Sequence, residues 1–339
     1  MVHEKKLVDQ VSGWLSLFDD GSVNRAWTGP PEVEFMVKRV EPHDEYIDGV
    51  AVYDLIIDSK SDLIVRVYEP KGILNDDESK LPIVLHFHGG GFCISQYDWA
   101  MYYHVYTRLA STIRAIVVSV KLRLAPEHRL PAAIEDAYSA LLWIRSLAQV
   151  LESVKPSHEL ARADFNRVFL IGDSSGGNLV HAVAARAGEE DLSPLRLAGA
   201  IPVHPGFVRS VRSESEKHKE FETPFLSLDM VDKFLALALP RGSTKDHPIT
   251  CPMGEAAPPL SRMKLPPYML AVAENDLIKD TEMEFFEAMK KAGKDIEVFF
   301  NKGVGHSFYL NKLAVDFDER TAKETDLLFE AIANFINKH

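Results

Sequence analysis

The stretch that most constrains this chain runs from Arg167 to His181. A short apolar run, Val168 to Ile171, reads as a buried strand. Gly172-Asp173-Ser174-Ser175-Gly176 follows it, and Asn178 to Ala187 reads as a helix. A G-x-S-x-G turn between a strand and a helix demands a sharp corner with no room for side chains beside the serine. Such a corner projects a hydroxyl from a rigid support, with the positive end of a helix behind it. Ser174 is therefore the candidate nucleophile.

A strand feeding such a corner belongs to an alternating pattern of strands and helices, and the flanking sequence supplies one. Val50 to Asp58 and Leu63 to Tyr68 read as a hairpin. Leu81 to Phe87, Ala115 to Val120, Ala198 to Val203, Tyr268 to Val272 and Glu297 to Phe300 read as further strands. Helices are predicted over Pro131 to Leu147, Leu228 to Leu239, Thr281 to Ala292 and from about Ala322 onward. This rhythm predicts a doubly wound, mostly parallel α/β sheet in one domain spanning 1–339. Asn75 to Lys80 reads as a solvated loop. Residues 205–250 interrupt the rhythm and read as a cap. Val8, Val11, Trp14, Leu15 and Phe18 have helical spacing, so residues 1–45 read as a second, helical cap element.

An activated serine needs an anion site, a base and an orienting acid. His88-Gly89-Gly90-Gly91-Phe92 directly follows the strand ending at Phe87, and its glycines let backbone N–H groups approach a ligand. Gly89, Gly90 and Ser175 are the expected oxyanion donors. His306 follows the last strand in a loop punctuated by Gly303 and Gly305, and is the candidate base. Asp276, after the strand ending near Val272, is the candidate orienting acid, with Asp280 and Glu274 as alternatives. Phe92, Cys93, Phe207, Phe225 and Phe308 are candidate substrate-pocket walls. His86 and His88 alternate along one strand, but no third ligand is placed by spacing, so no metal is expected. The chemistry needs no cofactor. Arg123 and Glu127 are expected to form a structural ion pair, and Glu135 and Asp136 to complement a helix dipole.

Composition narrows the partners. The chain has 339 residues, a formal net charge of -12 and two cysteines, Cys93 and Cys251. Net negative charge argues against nucleic acid, since phosphate binding needs a basic face. Two cysteines make no disulfide framework. No apolar run is long enough for a membrane span, and the first residues lack a signal-peptide core. The expectation is a cytoplasmic or nuclear protein, monomer or homodimer, that acts on a small-molecule ester.

Taken together, His88-Gly-Gly-Gly-Phe-Cys93, Arg123 to Ala133, Gly172-Asp-Ser-Ser-Gly-Gly177, Asp276 and Gly305-His306 resemble the plant carboxylesterases, in the hormone-sensitive-lipase-like branch of the α/β-hydrolases. The resemblance runs from about residue 10 to the end. It implies the α/β-hydrolase fold with a helical cap, and Ser174, Asp276 and His306 as the catalytic set. It also implies Gly89 and Gly90 in the oxyanion hole, and an N-terminal segment covering the pocket. The same family includes gibberellin receptors, which lack the catalytic histidine, and hydroxyisoflavanone dehydratases. His306 argues against a pure receptor; elimination or cyclisation at the same site stays open as an alternative to ester hydrolysis.

Overall fold

The computed structural model describes residues 5–72, 80–151 and 160–339. Most of the loop expected at 75–80 lies outside the described residues. Among the described residues, twelve strands form two sheets. The small sheet comprises β1 (Leu7–Val11), β2 (Leu15–Phe18) and β3 (Val23–Asn24). The large sheet comprises β4 (His43–Ile47), β5 (Val50–Asp58), β6 (Leu63–Pro70), β7 (Leu81–Phe87), β8 (Ile116–Val120), β9 (Ala163–Asp173), β10 (Leu197–Val203), β11 (Tyr268–Ala273) and β12 (Ile296–Asn301). Its order is β12-β11-β10-β9-β7-β8-β6-β5-β4. The six strands from β12 to β8 are parallel; β6, β5 and β4 add on antiparallel.

Burial explains the apolar runs. Every residue of β7, β8 and β11 is buried, as strands covered on both faces require. Helices Ala100–Ile113, Ala132–Leu151, Ser175–Ala187, Lys279–Lys291 and Glu319–Lys338 cover the sheet. The first of these was not anticipated from sequence. Its tyrosines and Met101, Val105 and Leu109 make it apolar around much of its circumference, which blurs the helical stripe.

Register brings the site together. Phe87 pairs with Gly172, Asp173 with Val203, and Ala273 with Asn301. The loops after β7, β9, β11 and β12 therefore leave the sheet at one edge, the carboxyl end, where open α/β sheets place their ligands.

The N-terminal segment differs from expectation. It is an antiparallel hairpin, not a helix. Ser12 turns at φ 47° and Gly13 packs against Gly29, so the chain reverses where a helix would continue. Only Val11, Trp14 and Leu15 of the proposed stripe are buried, while Val8 is 60% exposed. One polar expectation also changes, while Glu135 does stand in the first turn of its helix, as expected. Arg123 pairs with Asp136, at 2.7 Å, and not with Glu127; Asp136 also accepts from the Arg123 backbone at 2.8 Å. Glu127 instead accepts from Arg25 of the N-terminal segment, and Glu135 from Arg186.

Candidate active site

Ser174 sits between β9 and the helix Ser175–Ala187 with φ 51° and ψ -123°, a conformation that non-glycine residues rarely adopt. Surrounding bonds hold it there. Its N–H donates to Val203 at 3.1 Å, and its carbonyl accepts from Gly177 and Gly206, both at 2.9 Å. Gly176 is required by close approach: a Cβ there would lie 2.0 Å from the Phe87 carbonyl oxygen.

His306 and Asp276 meet at 2.6 Å, Nδ1 to Oδ2, with both side chains buried. The other Asp276 oxygen accepts from the Ile278 N–H at 3.1 Å. Burial pushes the Asp276 carboxyl up, but the charge and hydrogen bond of His306 outweigh it and hold the group below its usual range. Asp276 as acceptor places the proton on Nδ1 and leaves the Nε2 lone pair open. His306 Nε2 is buried and has no hydrogen-bond partner among the described residues. Ser174 and His306 line the same cavity without a hydrogen bond between them.

The other two acids have separate work. Glu274 accepts from the Gly303 N–H at 2.7 Å, clamping the histidine loop. Asp280 accepts from the Ser215 N–H at 2.7 Å and so ties the 205–250 insertion to the first turn of the helix Lys279–Lys291.

The glycine loop departs from expectation at one position. The Gly89 N–H points to Tyr102 Oη, at 3.1 Å, and Asp173 Oδ2, at 3.2 Å, and not into the cavity. Gly90 and Gly91 line the cavity instead, with Ser175 facing them. Gly90 has φ 98°, which a side chain at this position would not tolerate. Gly91 could have been found from sequence, because a run of three glycines offers the donor pair in either register. The Ser175 hydroxyl accepts from the Phe92 N–H at 3.2 Å, locking the loop against the nucleophile turn.

Behind the loop lies a buried polar layer. Asp173 also accepts from Tyr102 Oη at 3.2 Å and approaches His86 Nε2 at 3.4 Å, while His86 Nδ1 meets Ser119 at 2.8 Å. His88 Nδ1 contacts the Gly89 carbonyl. Both imidazoles are engaged within the protein, and burial lowers both, His88 to about 4.

The cavity encloses about 770 Å³ of empty space, its mouth included. Phe92 and Phe225 are on its wall. Cys93, Phe207 and Phe308 are not. Cys93 is fully buried, its Sγ near the Phe234 carbonyl and its thiol pushed up to about 12 by burial. Phe207 packs into the core on Phe285, and Phe308 stands beside His204 behind the histidine loop. Walls that the sequence did not single out are Trp14, Trp99, Met230, Phe234 and Leu235. Trp14 arrives from the N-terminal hairpin and donates to the Pro224 carbonyl at 2.9 Å. Met230, Phe234 and Leu235 share one face of the insertion helix Leu228–Ala238, which Ser227 caps.

A family model described as the alpha/beta hydrolase fold matches residues 84–310. Among similar curated proteins, the probable carboxylesterase 6 of Arabidopsis thaliana is 35% identical over 90% of this chain and 85% of its own. The gibberellin receptor GID1C of the same plant is 34% identical over 86% and 83%. The 2-hydroxyisoflavanone dehydratase of Glycyrrhiza echinata is 32% identical over 98% and 97%. Among solved structures, a Pyrobaculum calidifontis esterase superposes with a TM-score of 0.66 and 29% identity, covering 85% of this chain and 84% of that one.

Proposed function

The chain belongs to the α/β-hydrolase family, in its carboxylesterase-like branch, and from that premise we propose that it is a serine carboxylesterase acting on small to medium uncharged esters. One observation carries the reading most. A serine held in a strained corner shares a cavity with a buried imidazole whose Nδ1 is fixed on a carboxylate at 2.6 Å.

The reaction follows from these groups. Ser174 Oγ attacks the ester carbonyl while His306 Nε2 takes its proton. The missing Ser174–His306 hydrogen bond forms when substrate enters, as catalytic contacts often tighten only in the complex. Asp276 stays ionised, fixes the imidazole tautomer and stabilises the imidazolium. The Gly90, Gly91 and Ser175 N–H groups receive the oxyanion, an effect of roughly 3 kcal/mol per donor. His306 returns the proton to the leaving alcohol. Water, activated by the same imidazole, then releases the acid. Uncharged substrates fit because Trp14, Trp99, Phe225 and Phe234 offer apolar surface to either side of the ester.

A second reading, elimination or cyclisation, draws on the unpartnered His306 Nε2, a base free to take a proton from carbon. One experiment separates the two. Wild type should release acid from p-nitrophenyl butyrate, and a phosphonate ester should leave one adduct on Ser174 by mass spectrometry. A dehydrated or cyclised product with no acid, or labelling elsewhere, overturns the esterase reading.

A further inference from the structure

Beyond the active-site cavity lies a second one, and the two share wall residues. Met101 and Leu310 line both. Each is nearly fully buried, so these side chains form the partition between the two spaces. The second cavity encloses about 860 Å³, its mouth included.

The two spaces differ chemically. Around Ser174 the walls are mostly apolar. Beyond the partition stand Asp48, His104, Thr107, Arg108, Lys312 and Asp316. Two carboxylates therefore face two cations, while burial lowers the pKa of His104 and favours its neutral form. The cations are already matched: Lys312 pairs with Asp316 and Arg108 with Asp326. A ligand carrying a single charge would meet repulsion as well as attraction there. A neutral polyhydroxyl group suits both signs, donating to the carboxylates and accepting from the cations. Its C–H faces can rest on the rings of Tyr103, Tyr309 and Phe329, which line the same wall.

The partition is made of side chains that can move. Methionine has three rotatable bonds and adapts its shape at low cost. Met101 lies in the first turn of its helix, and Leu310 ends the single turn Phe308–Leu310 beside the histidine loop. We propose that Met101 and Leu310 form a gate through which an apolar chain seated beside Ser174 reaches the second cavity, where a sugar or similar neutral polyhydroxyl head is held. The substrate class is then an ester whose chain ends in such a head. The proposal rests on the esterase reading only for where the ester sits.

The test uses octyl β-glucoside, which has no ester, below its micelle-forming concentration. Calorimetric titration of wild type and Ser174→Ala should show it binding at least tenfold tighter than 1-octanol. Val315→Trp narrows the second cavity from its half-buried rim and should erase that difference. It should leave kcat/KM for p-nitrophenyl butyrate within twofold. Ser111→Trp, at an exposed position on the same wall, serves if Val315→Trp fails to fold. Met101→Ala should strengthen glucoside binding severalfold. Equal affinity for octanol and octyl glucoside, or a glucoside preference that survives the blocking tryptophan, overturns the proposal. Absence of p-nitrophenyl butyrate hydrolysis with the glucoside preference intact would count against the esterase reading alone.

Discussion

The floor and the roof of the cavity are held by different forces. The floor is the carboxyl edge of the sheet. There Gly89 and Tyr102 donate to buried Asp173, Phe92 donates to Ser175, and Ser307 donates to His204 at 3.0 Å. Leaving any of these buried groups unpaired costs about 1–3 kcal/mol. The roof is the N-terminal hairpin and the insertion helix. Trp14 rests on Trp27, Trp99 and Phe225 with ring centroids 4.3, 6.2 and 6.3 Å apart. Its ion pairs, Lys233–Asp9 and Arg25–Glu127, stand partly in solvent, where such pairs contribute about 1 kcal/mol or less. The floor is built for fixed geometry. The roof is held by ring contacts and by ion pairs that stand partly in solvent, so its hold is the weaker of the two.

The largest effects should come from the floor. Ser174→Ala and Asp276→Asn should each lower kcat for p-nitrophenyl butyrate by about 10⁴-fold, with Tm within a few degrees of wild type. If Asp276→Asn retained activity within tenfold, a different acid would orient His306, and the division of labour among Asp276, Glu274 and Asp280 would fall.

The floor should also be the pH-sensitive half. Burial pushes His88 and His204 down to about 4, against an ordinary value of 6.5. Between those values the unfolded chain binds protons that the folded chain refuses, so stability is full above about 6.5 and drains as pH falls toward 4. Each histidine contributes up to about 3 kcal/mol. Thermal unfolding followed from pH 7 to 4.5 should show Tm falling steadily. The roof should respond less, because Lys233 and Arg25 hold the Asp9 and Glu127 carboxyls below their usual range. A flat Tm over this range would show that His88 and His204 are solvated in solution.

This asymmetry also explains what could be read from sequence. Floor residues sit in short motifs whose chemistry depends on local spacing: the glycine loop, the serine corner and the two loop residues Asp276 and His306. Each follows a strand, and parallel strands deliver their ends to one edge. Gly89 differs from expectation because the spacing of three glycines cannot say which N–H turns toward Asp173. On the roof, the apolar period over Leu228 to Leu239 does mark the insertion helix Leu228–Ala238, but the N-terminal hairpin carries no such signal. Trp14 is 210 residues from its hydrogen-bond partner Pro224, and its neighbours fit a helical period that the turn at Ser12 and Gly13 overrules. Cys93, Phe207 and Phe308 share the composition of pocket walls but face the core, because apolar type reports burial and not which cavity is faced.

Trp14→Ala should give the next largest effect, and on binding more than chemistry. It removes the ring cluster and the bond to Pro224, so the roof should detach more often. We expect KM for p-nitrophenyl butyrate to rise about tenfold with kcat within threefold, and limited proteolysis to cut sooner between residues 12 and 31. A fall in kcat without a change in KM would mean that the roof helps set the floor.

The smallest effect should be at Glu127, where the roof meets the sheet through Arg25. The guanidinium donates to both Glu127 oxygens, and also to the carbonyls of Cys93, at 2.6 Å, and Ala125, at 2.8 Å. Glu127→Gln removes the charge but leaves a hydrogen-bond acceptor, and the two carbonyl contacts remain. The loss should be below about 1 kcal/mol, and 1 M salt should shrink it further, since exposed charges are screened over a few ångströms at that strength. Tm and KM measured with and without salt check this. A Glu127→Gln penalty as large as that of Trp14→Ala, and insensitive to salt, would place Arg25 among the fixed elements of the floor and redraw the boundary between the two halves.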